Sequence, residues 1–314
     1  MPARGRFREG PFHAWLLRSL RTGRGVRIGI GDDAAVLRLA QRDLLATADS
    51  LVEGVHFAPG TAPRLAGGKA AGRVLSDMAA MAGLPRFGLL SLIVPPSWTS
   101  SAVRRFVEAF DERLRRHGAS LVGGDAACAE GPFVASAALL GEPGTSRPLQ
   151  RGGARPGDLI LATGAFGGSI LGRHLRFEPR VGEAIALARR LPIAAAIDVS
   201  DGLALDLHRI CRASRVGAVL EAGAVPVSRA ARTLARRTGR SPLAHALGDG
   251  EDHELLLAMR PSGRSSLEKV RAGVAVRVIG RFGGKGVRIR DERGRERPLP
   301  PSGWEHGARR IDLG

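Results

Sequence analysis

The order of apolar and polar positions divides the chain into alternating strand and helix patterns. Two apolar runs, Ala34–Ala40 and Leu44–Ala48, are joined by the polar turn Gln41-Arg42-Asp43, the pattern of a β-hairpin. A short amphipathic helix around Phe12–Leu20 and a basic turn at Arg21–Gly25 are expected before it. Beyond Phe57, Val74, Leu75, Met78 and Met81 recur at helical spacing within Leu65–Ala82. Phe87–Val94 reads as a strand stopped by Pro95-Pro96, and Ser100–His117 as a charge-laced helix. Ala119–Val122 is a strand running into Gly123-Gly124-Asp125, and Phe133–Leu140 is another. This is an α+β pattern. Gly141–Gly157, dense in Gly, Pro and Arg, reads as a linker and divides the chain into residues 1–146 and 147–314.

In the second part, strands are expected at Asp158–Thr163, Ala194–Asp198, Gly217–Glu221, Glu254–Met259 and Val274–Ile279. Helices are expected at Arg180–Arg190, Leu203–Ser214 and Ser228–Thr238, with one Arg-rich hairpin inside Arg281–Pro301. The fold class is therefore α/β, an α+β N-terminal domain followed by an α/β C-terminal domain.

Aspartates fall at special places in this pattern. A hairpin turn centred near Arg42 sets Asp33 opposite Asp49, where like charges about 5 Å apart repel, and Asp32 adds to the crowding. Either an arginine or a hard cation such as Mg²⁺ would neutralise them, and the stretch alone does not choose. Asp77 interrupts an apolar helix face, so it needs Arg73 four residues earlier or a metal. Asp125 follows two glycines that permit close backbone approach to a ligand. Asp198, Ser200 and Asp201 open a helix, either as caps or as a nucleotide or metal site. The glycine-rich Gly164–Ser169 matches neither the Walker loop nor the dinucleotide fingerprint and reads as a turn. If the carboxylates converge, they suit Mg²⁺ ions that complete their shells with substrate phosphates, the setting of phosphoryl transfer.

Composition narrows the function classes. With 314 residues, 44% of them hydrophobic, the chain is long enough for two cores. Cys128 and Cys211 are the only cysteines, without metal spacing, so neither a disulfide framework nor a zinc site is indicated. No apolar run approaches the roughly 20 residues that span a bilayer, and the basic N-terminus lacks a signal-peptide pattern, so a cytoplasmic enzyme is expected. The net charge of +18 comes from arginines scattered along the whole chain, with only three lysines and no tyrosine. That distribution argues against a nucleic-acid track and favours small anionic substrates.

The segments GIGDDAAVL, TADSLVEGVHF, KAAGRVLSDMAAMAG, GGDAA, RGGARPGD, IDVSDGL and GDGEDHEL occur in this order between Ile28 and Met259. Together they resemble the motifs of the thiamine-monophosphate kinase family, part of the superfamily that includes aminoimidazole-ribonucleotide synthetase. The resemblance implies that superfamily's two-domain architecture, a homodimer paired through its N-terminal sheets, and Mg²⁺-dependent transfer from ATP to thiamine monophosphate without a protein nucleophile. By position it implies metal ligation at Asp33, Thr47, Ala48, Asp49, Asp77, Asp125, Asp198 and Asp201. ATP contacts are implied at Gly124, Asp125, Arg151 and Ser200, and acceptor contacts at His56, Glu251 and Trp304. Asp49, Asp125 and Arg151 are the implied catalytic residues. Ala48 stands where the family usually has Thr, Val74 where Asn is common, and His253 where an aromatic is usual. GGDAA replaces GGDT, Phe177 replaces a proline, and the segment between Ser169 and His174 is short. The carboxylates survive these departures better than the acceptor's surroundings. A relative with another acceptor, or a non-catalytic nucleotide- or RNA-binding paralogue, is the alternative.

Overall fold

The computed structural model describes residues 18, 26–28, 31–40 and 42–304. Apart from Arg18, the expected helix at Phe12–Leu20 and turn at Arg21–Gly25 lie outside the described residues, as does the end of the chain beyond Trp304.

The first half contains β1 (Val26–Ile28), β2 (Ala35–Leu39), β3 (Arg42–Val52), α1 (Pro63–Ala80), β4 (Gly83–Val94), α2 (Ser100–Arg116), β5 (Ser120–Cys128) and β6 (Val134–Pro143). The strands form one sheet in the order β1-β2-β3-β6-β4-β5, with only β4 and β5 parallel. The hairpin forms, but its register differs by one residue from expectation. Leu39 pairs with Arg42 and Ala35 with Ala46, so the turn is one residue shorter than expected and Asp33 does not face Asp49. Side chains on a strand alternate. This register sends Leu45, Thr47, Asp49 and Leu51 towards α1, while Ala48 and Ser50 are exposed on the opposite face.

Helix α1 is buried along most of its length, wedged between the first sheet, α2 and the second half of the chain. Its run of Ala and Gly permits this, because small residues let neighbouring backbones approach. A Cβ on Gly67 would lie 2.1 Å from the Phe106 carbonyl oxygen of α2. Gly67→Ala should therefore push the two helices apart and lower stability by about 1–3 kcal/mol, the usual cost of overpacking, read from the urea midpoint. An unchanged midpoint would show that the α1–α2 crossing yields easily.

β5 continues through Gly123-Gly124-Asp125 instead of ending before them. The reason is its parallel pairing with β4: a Cβ on Gly124 would meet the Leu90 carbonyl oxygen at 1.9 Å, so glycine keeps the ladder closed. The outer face of this sheet exposes Phe87, Leu89, Ile93 and Val122.

The second half contains β7 (Leu159–Thr163), α3 (Val181–Arg190), β8 (Ile193–Val199), α4 (Leu203–Ser214), β9 (Ala218–Glu221), α5 (Arg229–Thr238), α6 (Pro242–Gly248), β10 (Glu254–Met259), β11 (Val276–Phe282), β12 (Val287–Arg290) and β13 (Glu296–Pro298). The sheet runs β13-β12-β9-β11-β7-β10-β8. β12 and β13 make the hairpin expected in the Arg-rich stretch. α6 was not expected, although Ser241 as N-cap and Pro242 at the first turn are its sequence signal.

β7 and β10 are buried on both faces. Leu159, Leu161, Leu255 and Leu257 join the core that contains α1 and the first sheet, while Ile160, Ala162, Leu256 and Ala258 join a second core with α4. The shared core holds the carboxyl end of β8 against α1, and the functional residues gather there.

Candidate active site

Three carboxylates meet where the two halves touch. Asp33 follows β1, Asp77 lies in the last turn of α1 and Asp198 near the end of β8, with one oxygen from each within 4.8 Å of the others. Asp33 and Asp198 are buried, while Asp77 keeps a partly exposed edge. Thr47 Oγ1 donates to Asp77 at 2.6 Å, and Ser76 Oγ donates to Asp198 at 2.6 Å. Burial, then the charges of Asp198, Asp49 and Asp33, push the Asp77 carboxyl well above its ordinary range. Burial likewise raises Asp33 against the pull of Arg151, and raises Asp198. All-oxygen donors this close, at a site open on the Asp77 side, fit a hard divalent cation.

Arg151 meets Asp33 as a two-pronged fork, Nε to Oδ2 and Nη2 to Oδ1, both at 2.9 Å. Its backbone N–H also donates to the Asp32 carboxylate at 3.2 Å. Burial and the neighbouring Asp33 push Asp32 up to about 6. Arg151 thus covers one side of Asp33, while its other side faces Asp77 and Asp198.

Beside the tripod lies a second cluster. Arg73 does not pair with Asp77, because the neighbouring strand offers a better partner. It grips Asp49 through Nε at 2.6 Å and Nη2 at 2.8 Å and points Nη1 at Glu251, 3.4 Å away. Although burial works to raise Asp49, the Arg73 charge and hydrogen bonds hold its carboxyl below the ordinary value. Lys69, fully buried one turn earlier on α1, donates to Glu251 and, at 2.6 Å, to the His56 carbonyl oxygen. His56 Nδ1 accepts from the Val52 backbone N–H at 3.0 Å, closing the turn after β3.

The loop carrying Glu251 folds back on the end of β8, with Glu251 and His253 donating their backbone N–H groups to Ser200 and Val199. The tight path puts Glu251 and His253 at φ of 55° and 50°, left-handed values that non-glycine residues seldom adopt. The loop is held by the glycine-rich turn, since Asp252 accepts from Gly167 N and Ser169 Oγ, and Asp249 from Gly168 N. Burial pushes Asp252 up to about 7. Glu254, buried at the base, is held by Thr163, Arg173 and Arg180.

The remaining expected residues lie apart. Ala48 is exposed on the other face of β3. Gly124 and Asp125 are exposed on β5, separated from β3 by β6 and β4. Asp201 pairs with Arg209 at 2.5 Å, and its carbonyl oxygen accepts from the Trp304 backbone N–H at 2.8 Å. Lys69, Ser76, Arg173 and Arg180 were not singled out from sequence. The available signal for Lys69 and Arg73 was their i, i+4 spacing on a helix otherwise rich in Ala and Gly.

Residues 31–142 match the family described as AIR synthase related protein, N-terminal domain, and residues 146–291 the corresponding C-terminal domain. The chain is 38% identical over 309 residues to the thiamine-monophosphate kinase of Rhodopirellula baltica, covering 95% of this chain and 97% of that one. It is 34% identical over 285 residues to the thiamine-monophosphate kinase of Escherichia coli strain K12, covering 82% and 84%. Its fold superposes on the solved structure of AaThiL complexed with AMPPCP and TMP with a TM-score of 0.82 at 28% identity, covering 95% and 97%.

Proposed function

The chain belongs to the family of AIR synthase related proteins and, within it, to the thiamine-monophosphate kinases, and from that premise we infer that it transfers the γ-phosphoryl group of ATP to thiamine monophosphate. The products are thiamine diphosphate and ADP. The observation that carries this reading is the convergence of Asp33, Asp77 and Asp198 in the seam between the two halves. We further propose that these three hold Mg²⁺, with Thr47 and Ser76 fixing the rotamers of Asp77 and Asp198. A cation held there would supply neutralisation of phosphate charge.

A phosphate monoester has its second pKa near 6, so at neutral pH the acceptor is already mostly a dianionic nucleophile and needs no protein base. The barrier left to the protein is to bring two anions together in line. Arg151 neutralises Asp33 so that three carboxylates can share one small space, and Asp49 orients Arg73 towards Glu251. ATP contacts at Gly124, Arg151 and Ser200, further metal contacts at Ala48, Asp49, Asp125 and Asp201, and acceptor contacts at His56, Glu251 and Trp304 remain part of this proposal, as does the division at residue 146.

We also propose a homodimer paired through the outer face of the first sheet, on the strength of exposed Phe87, Leu89, Ile93 and Val122. Asp125, beside that face, is then free to serve a neighbouring subunit. Light scattering should give about twice the mass of one chain, and Leu89→Asp should give a monomer; a monomeric wild type would refute the pairing. No helix among the described residues is long and apolar enough to cross a membrane, and the proposed reaction is one of the cytoplasm.

A coupled ADP-release assay over a panel of phosphorylated acceptors tests the function. Mg²⁺-dependent ADP release with thiamine monophosphate supports it. Release with only another acceptor would favour a relative of different specificity, and ATP binding without turnover a silent paralogue.

A further inference from the structure

Lys69 and Arg73 lie one turn apart on α1 and both direct N–H groups at one carboxylate, that of Glu251. A lysine with no exposed side-chain surface is costly to bury as an isolated charge, so its partner matters. That partner comes from the other half of the chain, on a loop whose backbone takes a left-handed turn at Glu251 itself. The Glu251 side chain keeps 28% exposure, so it forms the lid of the pair rather than its floor. Arg73 is aimed from behind: Asp49 occupies Nε and Nη2, which leaves Nη1 for whatever anion fills the Glu251 position.

A second observation points to a ligand at the same place. His253, two residues on, is buried and stacked on Phe177 with ring centroids 3.8 Å apart, yet neither ring nitrogen makes a hydrogen bond, Nδ1 lying 3.6 Å from the Asp198 carboxylate. A buried imidazole without a hydrogen bond on either nitrogen is rare in a finished interior, because each unsatisfied group costs stability.

We propose that Lys69 and Arg73 form the binding site for the acceptor's phosphate group, and that Glu251 is its built-in occupant, released when phosphate arrives. This rests on the kinase reading for the identity of the acceptor, though the site itself is one for any phosphate monoester. A tetrahedral dianion offers both cations an oxygen and a further oxygen to His253, which a single carboxylate does not. The displaced Glu251 then faces the acceptor's thiazolium, a fixed cation. The exchange gives up two ion pairs and forms three, the third between Glu251 and the thiazolium, so it favours an acceptor carrying both charges over a plain phosphate.

The test is calorimetric binding of inorganic phosphate and of thiamine monophosphate to the full chain without ATP, compared between wild type and Glu251→Gln. The site predicts that Glu251→Gln binds inorganic phosphate about tenfold more tightly, because the competitor is neutral, while its preference for thiamine monophosphate over phosphate falls by a similar factor. Arg73→Gln, checked for folding by circular dichroism, should lose binding of both. Unchanged phosphate affinity in Glu251→Gln, or undiminished binding of both ligands in a folded Arg73→Gln, overturns the proposal. If phosphate binds as described while no ADP forms with any acceptor, the kinase reading fails and the site stands.

Discussion

Asp77→Asn should lose phosphoryl transfer by about 10²–10³-fold while unfolding at a higher temperature than the wild type in metal-free buffer. The two changes have one cause. Asp77 is pressed by burial and by the charges of Asp198, Asp49 and Asp33, so its carboxyl sits well above its ordinary range in the folded chain. A carboxyl with a raised folded pKa destabilises the fold at every pH above its unfolded value, because the unfolded chain releases the proton more readily. Asparagine keeps the shape and an acceptor for Thr47 Oγ1 and removes that penalty. It also removes the charge that a divalent cation would bind. Mg²⁺ should therefore raise the melting temperature of the wild type, since a ligand of the native state stabilises it, and should leave that of the variant nearly unmoved. Equal Mg²⁺ shifts in both proteins would place the ion elsewhere.

Arg151→Met should be the most damaging single change to the fold, lowering the free energy of unfolding by about 3–5 kcal/mol near pH 8, because it strands Asp33 as an uncompensated buried charge. The fork from Nε and Nη2 is the only side-chain cation on that carboxylate among the described residues. The pH dependence has a definite sign. Asp33 is already raised by burial with Arg151 present, and it rises further without it. The penalty applies while Asp33 is ionised and disappears as it takes up a proton, so the deficit should shrink from about pH 8 to about pH 5. Urea titrations at the two pH values measure it. A deficit that grows towards acid would mean that Arg151 acts through another partner.

Most elements were legible because periodicity reports burial. Leu203–Ser214 and Glu254–Met259 have the expected limits, since each presents an uninterrupted pattern between clear stops. The hairpin register was less secure, because the polar triplet Gln41-Arg42-Asp43 is compatible with more than one turn length, and one residue decides which face Asp49 takes. Gly123 and Gly124 looked like a strand end, whereas the pairing that absorbs them depends on the Leu90 backbone of another strand.

The site divides in the same way. Asp33, Asp77 and Asp198 stood out because each was a carboxylate in apolar or strand-end surroundings, and those signals are local. What neutralises them is not local. Helical spacing offers Arg73 as one partner for Asp77, yet Arg73 turns to Asp49 and Glu251, residues 24 and 178 positions away along the chain. Lys69 was invisible for the same reason, since its value comes from a loop 182 residues distant.

The most direct measurement of the whole account is transfer of isotopically labelled γ-phosphate from ATP to thiamine monophosphate, run with Mg²⁺, with excess chelator, and with Asp77→Asn. The account expects labelled thiamine diphosphate in stoichiometric step with ADP in the first case and almost none in the other two. Label appearing in thiamine diphosphate at the wild-type rate from Asp77→Asn, or label released only as inorganic phosphate from the wild type, would contradict it.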